Sequence, residues 1–223
     1  MRPEIYFSVD IEADGPIPGP YSMLSLGAAA FRDGNENPIA TFTTNLKALP
    51  GAGQDPKTME FWAKHLTAWR AVREDPKDPA EAIPEFVRFV REVTSSDAGA
   101  ARGGSVRRGG HQPVFVAYPA GFDFTFVYWY LIRFAKTSPF SFSALDMRSF
   151  AMPLLKRPYR ECTKKNFPQR WFPEAKHTHI ALDDAIEQGI MFIRMKQEAE
   201  EGAPRKLRVP EGAFRQFHHG KNL

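Results

Sequence analysis

Only one cysteine, Cys162, occurs in the chain. No internal disulfide can form, which agrees with a reducing compartment. A zinc site built from Cys162 and the His177-Thr178-His179 pair finds no fourth ligand at a recognisable spacing. Apolar runs long enough to span a bilayer are missing too, which argues against membrane insertion. Met1-Arg2-Pro3-Glu4 leads into a strand-like segment without an apolar leader or small-residue cleavage site, so a cytoplasmic protein is expected. No internal repeat is visible, and neither charge sign dominates, with 30 Lys and Arg against 26 Asp and Glu. The resulting net charge of +4 favours encounter with a polyanion without identifying one.

What is present is an ordinary globular composition, 43% hydrophobic and 25% charged over 223 residues, enough for one larger domain. The segments Ile5 to Val9, Met23 to Phe31 and Ile39 to Asn45, separated by Gly, Pro or Asn turns, read as three sequential strands. Helical residues dominate from Pro56 to Asp75. Asp78-Pro79-Ala80-Glu81 then supplies a cap, a proline at the first helical position and a capping-box glutamate. The helix that follows should bury Ile83, Phe86, Val87, Val90 and Val93. Pro113 to Tyr118 is a short apolar run suited to a strand buried on both faces. Phe122 to Ala135 and Met147 to Leu155 read as helices, with a short strand at Ser143 to Asp146. A last helix is expected from about Ala181 to Glu198, with Leu182, Ile186, Ile190 and Ile193 inward.

This order predicts an α/β fold with a mixed sheet, three antiparallel strands leading into parallel ones, flanked by helices as in ribonuclease H-like architectures. One domain should span 1–198, with a flexible Gly/Arg loop at 97–112 and a tail or surface extension at 199–223. The loop contains Arg102-Gly103-Gly104-Ser105-Val106-Arg107-Arg108-Gly109-Gly110, read either as a solvated segment or as a contact for nucleic-acid backbone.

Three acidic motifs carry the chemistry. In a strand, alternate side chains share a face, so Ile5, Phe7 and Val9 can enter a core while Asp10 and Glu12 project together from the other side. Two carboxylates on one face repel, and a divalent cation that prefers oxygen ligands relieves the repulsion. Asp123, within Phe122-Asp123-Phe124-Thr125-Phe126, stands at a strand-to-helix junction, where alone it would read as a helix cap. His179 and Asp184, within His179-Ile180-Ala181-Leu182-Asp183-Asp184, fall at the entrance of the last helix and can reach one pocket, whereas Asp183 should face elsewhere.

Together, in this order, the motifs resemble those of the DEDDh family of 3'-to-5' exonucleases: Asp-x-Glu on the first strand, Phe-Asp-x-x-Phe after a middle strand, His-x-Ala-x-x-Asp on the last helix. The resemblance runs from about Tyr6 to Met195. It implies that Asp10, Glu12, Asp123 and Asp184 bind two divalent cations, Mg²⁺ or Mn²⁺, and that His179 is the general base. The implied reaction is hydrolysis of single-stranded nucleic-acid 3' ends to 5'-mononucleotides. RNA is favoured over DNA by similarity to compact stand-alone exoribonucleases, with a DNA exonuclease or a non-catalytic end-binding module as alternatives. Dimerisation, common in such relatives, is a further implication. Asp14 stands where many members have threonine, and the asparagine often found before the second motif is absent from Ala117-Tyr118-Pro119-Ala120-Gly121. Aromatic residues suited to stacking on terminal bases are Phe122, beside Asp123, and Phe61 and Trp62, which resemble an aromatic helix of related bacterial exoribonucleases. His65, His111, His218 and His219 are expected to be solvated or packing residues.

Overall fold

Strand β1 (Glu4–Ala13) divides the molecule between two hydrophobic cores. Its odd-numbered residues Ile5, Phe7, Val9 and Ile11 enter one cluster with Ile83, Phe86, Val87 and Val90. Tyr6, on the other face, joins Ala29, Phe31, Met191 and Phe192. This is the alternation a strand imposes when both faces are covered. The structure, a computed structural model, describes residues 2–96, 110–174 and 178–202. Most of the Gly/Arg loop (97–109), His177 and the tail beyond 202 lie outside the described residues.

β2 (Met23–Arg32) pairs antiparallel with β1, and β3 (Ala40–Asn45) antiparallel with β2. Two short helices follow, α1 (Pro56–Trp62) and α2 (Leu66–Ala71), within the stretch from Pro56 to Asp75 where helical residues dominate. Helix α3 (Pro79–Ser96) starts as its cap signal predicts: the Asp78 carboxylate accepts the Ala80 N–H at 2.8 Å, and Pro84 is accommodated near the start. β4 (Gln112–Ala117) then returns parallel to β1. Helix α4 (Ala120–Tyr130) continues into a wider π turn over Leu131–Ala135. The two-residue β5 (Leu145–Asp146) pairs parallel with β4, and α5 (Met147–Leu155) follows, capped by the Asp146 carboxylate, which accepts the Ser149 N–H at 2.9 Å. The sheet order is β3-β2-β1-β4-β5, the mixed arrangement expected from the sequence. No described helix is long and apolar enough to cross a membrane.

Helix α6 (Ala181–Glu201) lies across β1 and β2 on the second core. Its most enclosed seam is not the aliphatic series Leu182, Ile186, Ile190 and Ile193. Ala181, Ala185, Gln188, Gly189 and Phe192 are buried, and so is Ile193 as expected, whereas Leu182, Ile186 and Ile190 are only partly so. Small residues allow the backbones to approach. A Cβ on Gly27 of β2 would collide with the backbone of Ala181 and Leu182, and one on Gly189 with the Phe31 ring.

The Gly27 collision is with main chain, which cannot swing aside. Gly27→Ala is therefore expected to destabilise the protein by about 1–3 kcal/mol in urea unfolding. Gly121, in the first turn of α4, has open space where an alanine methyl would stand, and Gly121→Ala is expected to be neutral or stabilising by about 0.5 kcal/mol. Equal effects from the two substitutions would contradict this packing account.

Candidate active site

β4 leaves β1 before β1 ends: the last register pair is Ser8 with Val116. Beyond it, backbone groups of β1 need other partners. The Val9 carbonyl accepts the Gln188 side-chain N–H from α6 at 2.6 Å, and the Ile11 N–H donates to Asp123 Oδ1 from α4 at 3.1 Å. These bonds bring α4 and α6 to the stretch of β1 that carries Asp10 and Glu12. The start of α4 is held as well, by the Ala120 N–H donating to Asp146 Oδ1 at 3.1 Å.

Asp123 lies in the first turn of α4 and is buried; Pro119 takes the cap position, so Asp123 is not the helix cap. Asp184, in the first turn of α6, is also buried. Gly27 pairs opposite Asp10 in the sheet register, so the α6 entrance that it admits arrives beside the first motif. Asp184 Oδ1 accepts the Thr178 N–H at 3.2 Å, tying down the segment that carries His179. His179 itself sits at φ 58°, a left-handed conformation uncommon for a non-glycine residue. Ligand atoms of Glu12, His179 and Asp184 all lie within 4.8 Å of one another. The Asp183 carboxylate instead accepts the Thr178 hydroxyl at 3.0 Å, away from this group as expected.

Electrostatics join Asp10 and Asp123 to that group. Desolvation, followed by the negative charges of Asp123, Glu12 and Asp184, holds the Asp10 carboxyl well above the ordinary carboxylate range. Desolvation pushes Asp123 up to about 8 against the lowering effect of the Ile11 N–H. Lys164 is the cation that acts on both, lowering the pKa of each. Its ammonium pairs with Glu187, one turn beyond Asp184 on α6, at 3.0 Å, and its backbone N–H donates to the Tyr118 hydroxyl at 2.9 Å. A cluster of carboxyl oxygens with one imidazole, with Asp10 driven toward protonation by desolvation and neighbouring charge and Asp123 by desolvation, fits divalent cations of the oxygen-preferring kind.

The aromatic residues divide. Phe61 is 37% exposed and meets the His179 ring edge-on at 5.1 Å between centroids. Phe122 is equally exposed, beside Asp123. Trp62 is 1% exposed, and its indole N–H donates to the Ala13 carbonyl at 3.0 Å, which leaves it no free face for a base. Successive helical residues point about 100° apart, and here that turn leaves Phe61 exposed beside His179 while Trp62 is buried. Trp62 instead pins α1 to the end of β1, together with the Asp55 N–H donating to the Asp14 carbonyl at 2.8 Å. Asp14 is buried and accepts the Ser22 N–H at 2.5 Å, clasping the β1–β2 hairpin; burial raises its pKa.

Four neighbours of the site escaped sequence reasoning. Gly27 carried a usable signal, since an isolated glycine in a strand marks close backbone approach. Gln188 and Lys164 carried none: one is a polar residue on an amphipathic helix, the other sits in an irregular turn. His65, expected to lie apart, has its ring centroid 4.4 Å from that of His179.

A carboxyl with a higher pKa folded than unfolded, where aspartate titrates near 3.9, binds more protons in the folded state. Stability then falls as pH rises between the two values. In EDTA the protein is expected to lose thermal stability from about pH 4 upward to about 8, the range set by Asp123. Asp10→Asn should flatten part of that decline, Asp14 keeping its own share. A pH series of melting temperatures checks this, and an unchanged slope in Asp10→Asn would contradict it.

No family model matches the chain. Over 191 residues it is 30% identical to the 3'-5' DNA exonuclease Cap18 of Escherichia coli, an alignment covering 85% of this chain and 90% of that protein. Among solved structures, the nuclease domain of 3'hExo, a DEDDh family member, bound to rAMP, matches with a TM-score of 0.60 at 11% identity, covering 88% of this chain and 93% of that one. Cell-death related nuclease 4 (CRN-4) matches with a TM-score of 0.59 at 12% identity, covering 87% and 64%. These structures share the fold, and the curated relative shares its sequence across most of the chain. With the three motifs gathered at one end of β1, the chain belongs to the DEDDh family of 3'-to-5' exonucleases.

Proposed function

We propose that this 3'-to-5' exonuclease hydrolyses single-stranded nucleic acid from its 3' end, releasing 5'-mononucleotides, with Asp10, Glu12, Asp123 and Asp184 as metal-binding carboxylates and His179 as general base. The observation that carries the reading is the approach of Glu12, His179 and Asp184 within 4.8 Å, beside two carboxyls driven toward protonation. Two divalent cations, Mg²⁺ or Mn²⁺, would supply polarisation of the scissile phosphate and acidification of the attacking water when held by these residues.

The remaining steps belong to the chain. The water oxygen attacks phosphorus, its proton passes to the neutral imidazole of His179, and the bond from phosphorus to the 3' oxygen breaks, that oxygen taking a proton from solvent water to leave as a hydroxyl. An unperturbed imidazole titrates near 6.5, so it can accept a proton at neutral pH. The Thr178 bond to Asp184 and the flanking Phe61 and His65 rings keep His179 from turning away. Phe61 and Phe122 offer exposed rings for stacking on terminal bases, a contribution of about 1–3 kcal/mol per base. Trp62 supports Phe61 from beneath rather than touching substrate.

The polymer is DNA in this reading. This choice follows the relative at 30% identity, a DNA exonuclease, over the resemblance to compact exoribonucleases that favours RNA. Discrimination depends on contacts to the 2'-hydroxyl.

Matched DNA and RNA single strands with Mg²⁺ or Mn²⁺ test this directly. Mononucleotides should accumulate faster from DNA, and EDTA should abolish them. His179→Ala should lower kcat by about 10²–10⁴-fold, and Asp10→Ala should leave no measurable turnover. Faster release from RNA would reverse the polymer assignment, and parental rates in Asp10→Ala would defeat the site assignment.

A further inference from the structure

Helix α4 carries Asp123 in its first turn, and its outward face continues away from the site. Phe122, Trp129, Arg133 and Lys136 recur at helical spacing on that face, spread over about 21 Å of helix axis. The other wall is the β1–β2 hairpin, where Gly19 lies against the Trp129 ring and Pro18 lines the gap. Between them runs an open groove of about 700 Å³, lined by Phe124, Tyr128, Trp129, Arg133 and Lys136 among others. The exposed apolar residues Ile17 and Ile132 lie along the same hairpin and helix.

Resting on the exonuclease reading, we propose that this groove docks the substrate strand upstream of its 3' end: bases pack against the half-buried rings of Trp129 and Tyr128, and backbone phosphates meet Arg133 and Lys136.

Two observations favour a single-stranded polyanion over other occupants. Both charged residues lining the groove are cations, and no carboxylate lines it among the described residues. The Arg133 guanidinium stands 5.5 Å over the Trp129 ring, so stacking surface and positive charge are presented together, the combination that single strands are held by. Lys136 donates one N–H to the Arg133 carbonyl at 2.7 Å, which orients its ammonium and leaves two donors for a phosphate. Continuity with the reaction centre is built in, because one helix and its π-turn extension carry both Asp123 and the groove cations. A site crowded with carboxylates gives a polyanion little electrostatic reason to approach, and cations along the path supply it.

The test uses the full chain. Binding of a fluorescent long single strand is measured in the Asp10→Asn background, where cleavage does not interfere, with and without Arg133→Gln; Arg133 is exposed, so the substitution spares the fold, and a melting temperature confirms it. Arg133→Gln should reduce the steepness of the log affinity against log salt plot by about 0.7. Trp129→Ala should weaken binding about tenfold or more. In the cleavage-competent chain, either change should lower the preference for long strands over dinucleotides, read as the ratio of kcat/KM values. An unchanged salt slope and unchanged preference overturn the groove, and a shift in sedimentation with strand affinity unaltered would assign that face to self-association instead. Absence of cleavage on both substrates in the parent strikes the exonuclease reading alone, because the binding arm needs no turnover.

Discussion

Negative charge gathered where one strand loses its neighbour is the constraint that organises this molecule. β1 outruns β4 after Ser8, and the backbone groups left without a strand partner there are satisfied by Asp123 from α4 and Gln188 from α6. The same stretch carries Asp10 and Glu12, so completing the main-chain hydrogen bonds obliges acidic residues from three elements to share a small, poorly hydrated volume. Such crowding costs stability when every carboxyl is ionised, because burial removes the water that would screen them. Lys164 offsets only part of that charge, being already paired with Glu187. A site in this condition has a large electrostatic incentive to take up cations.

The surrounding packing gives the cluster its geometry. α6 can enter beside Asp10 because Gly27 presents no side chain, and farther along Gly189 lets the helix lie against Phe31. On the opposite flank, Trp62 and the Asp55 N–H fasten α1 to the end of β1, which sets Phe61 and His65 against His179. Asp14 contributes to the same fastening through the hairpin. Its carboxylate occupies the motif position where many relatives have threonine, and here it clasps the two strands together through the Ser22 N–H. The position of the carboxylate cluster thus rests on close backbone approach and a few buried hydrogen bonds, not on the bulk of the hydrophobic cores.

Much of this was legible from sequence, and the boundary has physical reasons. β1, α3 and the α6 entrance could be read because alternation, a capping box and motif spacing are local properties. The mixed sheet followed from their order. The buried seam of α6 could not be read from large aliphatics, because the close contact uses Ala181, Ala185 and Gly189, which carry little hydrophobic signal. The resemblance that pairs Trp62 with Phe61 says nothing of which ring faces the core, and here Trp62 is buried while Phe61 is not. Gln188, Lys164 and His65 derive their importance from tertiary neighbours more than 20 residues away in sequence or on other elements, which no local pattern encodes.

Placed together, a cation-seeking pocket, a positioned imidazole and exposed aromatic rings make a coherent device for trimming a strand from one end. Its central claim concerns the pocket, and counting ions tests that claim most directly. Titration of the metal-free protein with Mn²⁺, followed by calorimetry or electron paramagnetic resonance, should reveal two ions bound per chain, with Asp123→Asn losing at least one of them. Saturation without any bound ion, or undiminished stoichiometry in Asp123→Asn, would contradict the account.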